Sequence, residues 1–101
     1  MSYIGKVKVG NEWEKVEDLI KAQVSGQSSF AFDGSTKYEL QSEGEFGARF
    51  CDVSSKPSDD NEGMVITGTQ VAFYQPSDGN SLYVKTAHLN FVHLKISVLV
   101  A

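Results

Sequence analysis

The sequence predicts an all-β protein, namely an antiparallel β-sandwich or jelly-roll-like domain with an N-terminal hairpin and one short helix. Short apolar segments are divided about every ten residues by Gly, Pro, Asp, Asn and Ser, which are turn-forming residue types. Only the stretch 16–23 has apolar residues at helical spacing. No segment leaves room for the crossover helices that a parallel sheet requires. We therefore expect the strands to pair antiparallel.

Residues 1–27 are expected to be a docking element within the same unit as the rest of the chain. Apolar alternation predicts strands over 4–9 and 12–16, and Gly10-Asn11 between them favours the positive φ of a tight hairpin turn.

The helix is predicted directly after this hairpin. Val16, Leu19 and Ile20 recur at helical spacing, and the acids of this segment precede its lysine, an order that complements the helix dipole. We expect Leu19 and Ile20 to contribute to the docking element, with Trp13 as its aromatic anchor.

Residues 28–101 are predicted to form the antiparallel β domain. The candidate strands are 28–32, 36–42, 46–53, 64–67, 69–75, 81–86 and 90–99. The side chains expected to face inward are Phe30, Phe32, Tyr38, Leu40, Phe46, Ala48, Phe50, Ile66, Val71, Phe73, Leu82, Val84, Val92, Leu94, Ile96 and Val98.

The last strand has the strongest pattern in the sequence. Its alternate residues are all apolar and share one face, and they are Val92, Leu94, Ile96, Val98 and Val100. Leu99 and Ala101 make the opposite face apolar as well. Terminal segments fray unless they are held by other parts of the structure. We expect this strand to be buried in its own domain or against another subunit, and the apolar face to support a homo-oligomer.

Composition excludes several classes of partner. The 101 residues suffice for one domain, and the net charge of −4 argues against a nucleic-acid binder or an anionic membrane as partner. No signal peptide and no apolar run of about 20 residues is present, so we expect synthesis in a cytoplasm and no membrane span. The single cysteine, Cys51, cannot form an intramolecular disulfide and is expected to be a small buried side chain.

No pattern of chemistry-bearing residues indicates catalysis, and we expect neither an enzyme nor a cofactor. The loop 58–63 offers three carboxylates and an amide, which makes calcium an alternative, but its spacing differs from a calcium-binding loop and a solvated turn is the expectation. His88 and His93 are an odd number of residues apart, which places them on opposite faces of a strand and excludes a shared zinc ion.

Three aromatic residues leave a second function open. Trp13, Tyr74 and Tyr83 alternate out of phase with the expected core, and exposed aromatic faces can stack on sugar rings. A carbohydrate-binding module that recognises a surface glycan is therefore the alternative to an assembly protein.

Three segments resemble small virion proteins of tailed bacteriophages. Residues 6–16, KVKVGNEWEKV, are similar to V-x-V-G/N-x-x-W-x-K-V hairpins of such proteins, and EDLI at 17–20 and YELQ at 38–41 continue the similarity. Residues 48–59, ARFCDVSSKPSD, and 80–85, NSLYVK, resemble domains in which an R-x-C-x-x-x-x-x-P strand and turn precede an L-Y-V-R/K strand.

This resemblance implies a non-enzymatic particle component of the capsid-decoration, head-fibre or tail-fibre type. It implies location in the virion, a homo-oligomer with a trimer favoured, and docking on a major capsid or tail protein. The residues expected to form the oligomer or docking interface are Trp13, Leu19, Ile20, Val92, Leu94, Ile96, Val98 and Val100.

Overall fold

The computed structural model describes residues 2–43, 47–58, 63–66, 71–77, 79–87 and 91–99. Its elements are β1 (Ser2–Gly10), β2 (Glu14–Lys15), α1 (Val16–Gln23), β3 (Lys37–Glu43), β4 (Ala48–Val53), β5 (Met64–Ile66), β6 (Ala72–Tyr74), β7 (Ser81–Thr86) and β8 (Phe91–Leu99).

The strands form two four-stranded sheets, in the order β1-β8-β3-β6 and β2-β7-β4-β5. We call them the front sheet and the back sheet. All neighbouring strands pair antiparallel. The prediction of an all-β, sandwich-like fold with one short helix is confirmed.

The predicted N-terminal hairpin is wrong, because its two strands belong to different sheets. Strand β1 pairs with β8, whereas β2 pairs with β7. Gly10 does not adopt the positive φ that the predicted turn requires. The physical reason lies in strand length. A two-residue β2 could satisfy few backbone groups of the nine-residue β1, whereas β8 also has nine residues.

The predicted helix is present and closes one side of the sandwich. Val16, Leu19 and Ile20 are buried, and α1 contacts β1, β2 and β7. After the helix, Val24 approaches Gly5 so closely that a Cβ atom on Gly5 would lie 2.7 Å from the Val24 side chain. Glycine on β1 therefore permits this close approach between strand and helix end.

Residues 28–32 do not form the predicted strand. They run as a turn and irregular chain, in which the Phe30 amide N–H donates to the Gln27 carbonyl at 3.0 Å. Phe32 instead packs edge-to-face on Phe30, Tyr38 and Tyr74, at ring-centroid distances of 5.1, 4.7 and 5.1 Å. Aromatic packing at the end of the sandwich replaces strand pairing here.

Most of the expected inward-facing residues are in the core between the sheets. Those buried are Tyr38, Leu40, Ala48, Phe50, Ile66, Leu82, Val84, Val92, Leu94 and Ile96, and those half-buried against them are Phe30, Phe32 and Val98. Phe46 lies outside the described residues.

Val71 and Phe73 are corrections to the predicted core, because they are 39% and 61% exposed. Strand β6 places Tyr74 inward, and side-chain direction alternates at every residue. The predicted alternation was shifted by one residue in this short strand, so each side chain was assigned to the wrong face.

Candidate interaction surface

The apolar residues predicted as an oligomer interface lie in the core of the chain itself. Strand β8 is an inner strand of the front sheet, between β1 and β3. Val92 is 4% exposed, and Leu94 and Ile96 are fully buried. Val98 is half-buried against the same core, and Val100 lies outside the described residues. Strand β8 therefore buries its apolar face within its own domain, which was one of the two alternatives expected for it.

The predicted docking residues of the N-terminal segment are also buried. Leu19 and Ile20 are 7% and 0% exposed because they face the sandwich from α1. Trp13 is 4% exposed, and the Lys85 ammonium lies 5.9 Å from its ring centroid. These side chains attach the helix to the sheets and offer no surface to a partner.

The aromatic faces that suggested a carbohydrate-binding module are not exposed. Tyr74 is 8% exposed and Tyr83 is 7% exposed, and Trp13 is buried with them. A sugar ring has no access to these faces, so the three residues do not support the carbohydrate-binding alternative.

Exposed aromatic residues lie elsewhere, on the solvent side of the front sheet. Tyr3, Phe73 and Phe91 are 63%, 61% and 45% exposed. Tyr3 is opposite Ser97, Ser97 is opposite Glu39, and Glu39 is opposite Phe73, so one row of side chains crosses all four strands. We call this side of the sheet the outer face. Its described side chains are Tyr3, Lys6, Lys8, Lys37, Glu39, Gln41, Glu43, Phe73, Phe91, His93, Lys95, Ser97 and Leu99.

Charged side chains organise the middle of the outer face. Glu43 accepts salt bridges from Lys95 at 3.2 Å and Lys6 at 3.4 Å. The hydrogen bond from Lys95, followed by the hydrogen bond and charge of Lys6, holds the pKa of the Glu43 carboxyl below its ordinary value, while partial desolvation opposes this shift. Glu43, on β3, therefore holds the ammonium groups of two lysines, one from β1 and one from β8, close together.

Phe91 lies at one end of the outer face beside two titratable side chains. The Lys8 ammonium is 4.5 Å from the Phe91 ring centroid, and the His93 ring packs edge-to-face on Phe91 at 5.6 Å. A lysine over an aromatic face is an attractive arrangement that also orients the ring. The outer face thus presents an aromatic side chain held between basic groups.

The outer face is basic although the chain is acidic. Four lysines and two glutamates lie on it, whereas the whole chain has nine basic and thirteen acidic residues. On the other described surfaces, six acidic and five basic side chains nearly balance. The outer face is therefore the most basic of the described surfaces.

The sequence pattern did contain a signal for this surface. Lys6 and Lys8 alternate with Val7 and Val9, and β1 was expected to be a strand. The other strands of the face could not be identified, because the pairing of β1 with β8 brings together residues far apart in sequence.

Candidate metal ligands are not clustered in the part of the chain that the structure describes. No group of three or more His, Cys, Asp or Glu residues there could hold a metal ion. The Cys51 side chain is half-buried. Residues 59–62 of the acidic loop and His88 lie outside the described residues, so the calcium alternative keeps its status as a hypothesis. Among the described residues, no helix is long and apolar enough to cross a membrane.

Comparison with known proteins identifies no relative: no protein-family model, no curated protein and no solved structure matches the chain.

Proposed function

We propose that the protein is a non-enzymatic assembly subunit of a bacteriophage virion, which associates with copies of itself and docks on a capsid or tail protein through the outer face. The observation that carries this proposal is the exposure of Tyr3, Phe73 and Phe91 on one side of the front sheet. The virion context, including the preference for a trimer, comes from the resemblance of the sequence segments.

Exposed aromatic side chains support a binding role on energetic grounds. Leaving a large aromatic side chain in water forgoes roughly 1.5–3 kcal/mol of burial free energy. Aromatic residues also dominate the binding energy of many protein interfaces. The lysines between them keep the free surface soluble and select an acidic partner surface. The outer face can therefore be solvated before docking and buried after it.

The exposed aromatic side chains of the outer face also support self-association. A second copy packed on this face would remove Tyr3, Phe73 and Phe91 from water. A contact that joins this face to a different surface of the next copy closes into a ring when the rotation between copies allows it. A trimer is one such closed ring.

The assembly state is tested with the variant Phe73→Ser/Phe91→Ser. We expect native mass spectrometry and sedimentation to show an oligomer for the unchanged chain and at least a tenfold higher dissociation constant for the variant, because each lost aromatic contact exceeds about 1 kcal/mol. Val65→Ser is the control, since Val65 lies opposite Arg49 on the back sheet and faces away from the front sheet.

Two further results decide the proposal. Oligomers that weaken equally in both variants would show that the outer face is not the contact, and a chain that is monomeric at all concentrations would contradict self-association. Immunogold labelling of purified phage particles that encode the chain tests the virion assignment, and unlabelled particles would contradict it.

A further inference from the structure

A cleft opens between the two sheets on the side of the sandwich opposite α1. It lies at the edge formed by β5 and β6 and has a volume of about 290 Å³. Its walls include the apolar side chains of Leu40, Phe50 and Leu82, and Met64 and Phe73 stand exposed at its rim. The helix packs on β1, β2 and β7, at the other edge of the sandwich, and does not line this cleft.

A carboxylate faces this apolar cleft. Asp52 lies opposite Leu82 in the register of β4 and β7, which puts it on the inward side of the back sheet. The Tyr74 hydroxyl donates a long hydrogen bond of 3.4 Å to Asp52 Oδ1. Within the described chain, the Asp52 carboxylate forms no salt bridge with a lysine or arginine. Its charge is thus available to a cation that enters the cleft.

Tyr74, in the wall of the cleft, lies within hydrogen-bond distance of the Asp52 carboxylate. Burial, followed by the charge and hydrogen bond of Asp52 and the charge of Glu17, raises the pKa of the Tyr74 hydroxyl to about 12. Glu17 lies outside the cleft, on α1, and its carboxylate accepts a 3.4 Å hydrogen bond from the amide of Phe32, whose ring packs on Tyr74. Two acidic side chains from different elements therefore act on one buried aromatic ring.

We propose that the cleft binds a small organic cation, a primary ammonium group attached to an aromatic or branched aliphatic body. The body packs among Leu40, Phe50 and Leu82, and the ammonium group donates hydrogen bonds to Asp52. An apolar pocket with one precisely placed charged group is the usual form of a small-ligand site, and the volume limits the ligand to a single ring or its equivalent. This inference does not depend on the proposed function, because Asp52 and the apolar walls of the cleft lie between the sheets, whereas the outer face lies on the solvent side of the front sheet and shares only Phe73 with the cleft.

The test is a titration of the protein with 2-phenylethylamine, in which the backbone amide signals are monitored in ¹H–¹⁵N NMR spectra. We expect saturable shifts at Leu40, Ala72 and Leu82. The uncharged analogue 2-phenylethanol has the same body and is expected to bind about tenfold more weakly, because a charge-assisted hydrogen bond is worth roughly that factor in affinity.

Asp52→Asn keeps the shape of the side chain and removes its charge. We expect this variant to bind 2-phenylethylamine about tenfold more weakly, while its affinity for 2-phenylethanol is unchanged. Asp18→Asn is the matched control, because it removes the same charge from the exposed side of α1, and it should bind like the unchanged chain. The amide spectra of both variants report whether the fold is intact.

Three results would overturn the inference. The first is the absence of saturable shifts at the cleft residues, and the second is equal affinity for the amine and the alcohol. The third is equal weakening by Asp52→Asn and Asp18→Asn, which would show attraction to net charge alone. A monomeric chain that still binds the amine at Asp52 would contradict the proposed function and leave this inference supported.

Discussion

At the scale of single residues, two glycines with positive φ differ in what surrounds them. Gly63 and Gly79 have φ values of 87° and 80°. A Cβ atom on Gly63 would overlap the backbone carbonyl oxygen of Phe50, whereas nothing lies within 4 Å of the corresponding position on Gly79. The two positions therefore separate the cost of backbone strain from the cost of a steric clash.

We predict that Gly79→Ala lowers the free energy of unfolding by about 1 kcal/mol, the usual cost of a left-handed alanine. Gly63→Ala should lower it by about 3 kcal/mol, because the new methyl group also displaces the backbone of β4. Urea unfolding followed by circular dichroism measures both values. Equal effects of the two substitutions would mean that the Phe50 carbonyl moves away at no cost.

Tyr74 gives a prediction about alkaline pH. Its pKa is raised from 10.0 to about 12, so between these pH values the folded state holds a proton that the unfolded state has lost. This group therefore stabilises the fold below pH 10, and its contribution is lost as the pH rises toward 12.

Ultraviolet absorbance of the tyrosinate anion tests this prediction directly. A titration should contain an ionisation near pH 12 that is missing in Tyr74→Phe and that moves to lower pH in Asp52→Asn. An unchanged titration of Asp52→Asn would contradict the electrostatic role of Asp52.

At the scale of elements, strand β1 is an edge strand whose free side is partly covered by a side chain of the helix. The Gln23 side-chain oxygen accepts from the Lys8 amide N–H at 2.7 Å, and the Gln23 side-chain nitrogen donates to the Lys8 carbonyl at 2.9 Å. The amide of Gln23 thus takes the position of one peptide group of a neighbouring strand. Exposed edges are templates for association, and this pair of bonds blocks the middle of β1.

We predict that Gln23→Ala lowers the free energy of unfolding by about 1–2 kcal/mol through the loss of two hydrogen bonds. It should also increase aggregation at high protein concentration, as measured by static light scattering. Gln41→Ala is the control, because Gln41 lies on the inner strand β3, between β8 and β6. Identical scattering of the two variants would contradict the blocking role of Gln23.

The sequence pattern predicted strands and the helix correctly where apolar residues recurred with a clear period. It did not predict which strands pair with each other. The alternation from Val92 to Ile96 identified both β8 and its inward side. Gly10-Asn11 indicated a turn, yet the chain there crosses between sheets. Strand pairing depends on contacts between distant segments, which no local pattern contains.

The same limit explains the errors at the aromatic residues. Trp13 was expected at the surface, but it is buried and lines one cavity together with Pro57, which is more than forty residues away in the sequence. Phe73 and Tyr74 exchanged their expected faces because β6 has only three residues, too few for a period of two to be recognised. The outer face and the cleft both result from such pairings, so the sequence pattern indicated only the β1 part of the outer face and no part of the cleft.

At the scale of the whole molecule, β8 holds the front sheet together. It is paired with β1 on one side and β3 on the other. Ile96→Ala is predicted to lower the free energy of unfolding by about 2–5 kcal/mol, because the removed groups leave a cavity in the core. Ser97→Ala, one residue along on the outer face, should change it by less than about 0.5 kcal/mol. Equal effects in thermal unfolding would contradict the central position of β8.

Deletion of residues 91–101 should abolish folding altogether, and with it any oligomer. Circular dichroism of this truncated chain is expected to show an unfolded spectrum. A folded monomer would instead show that the fold does not require β8 and that this strand serves as an interface element.

The pairing of Ser2 with Val98 also orders events during synthesis. Strand β1 leaves the ribosome before its neighbour in the sheet, and the pair can form only after Phe91–Leu99 has emerged. Until then, Val7 and Val9 have no sheet to join, and the nascent polypeptide exposes them to chaperones and to other growing chains. The front sheet can therefore assemble only after β8 has been synthesised.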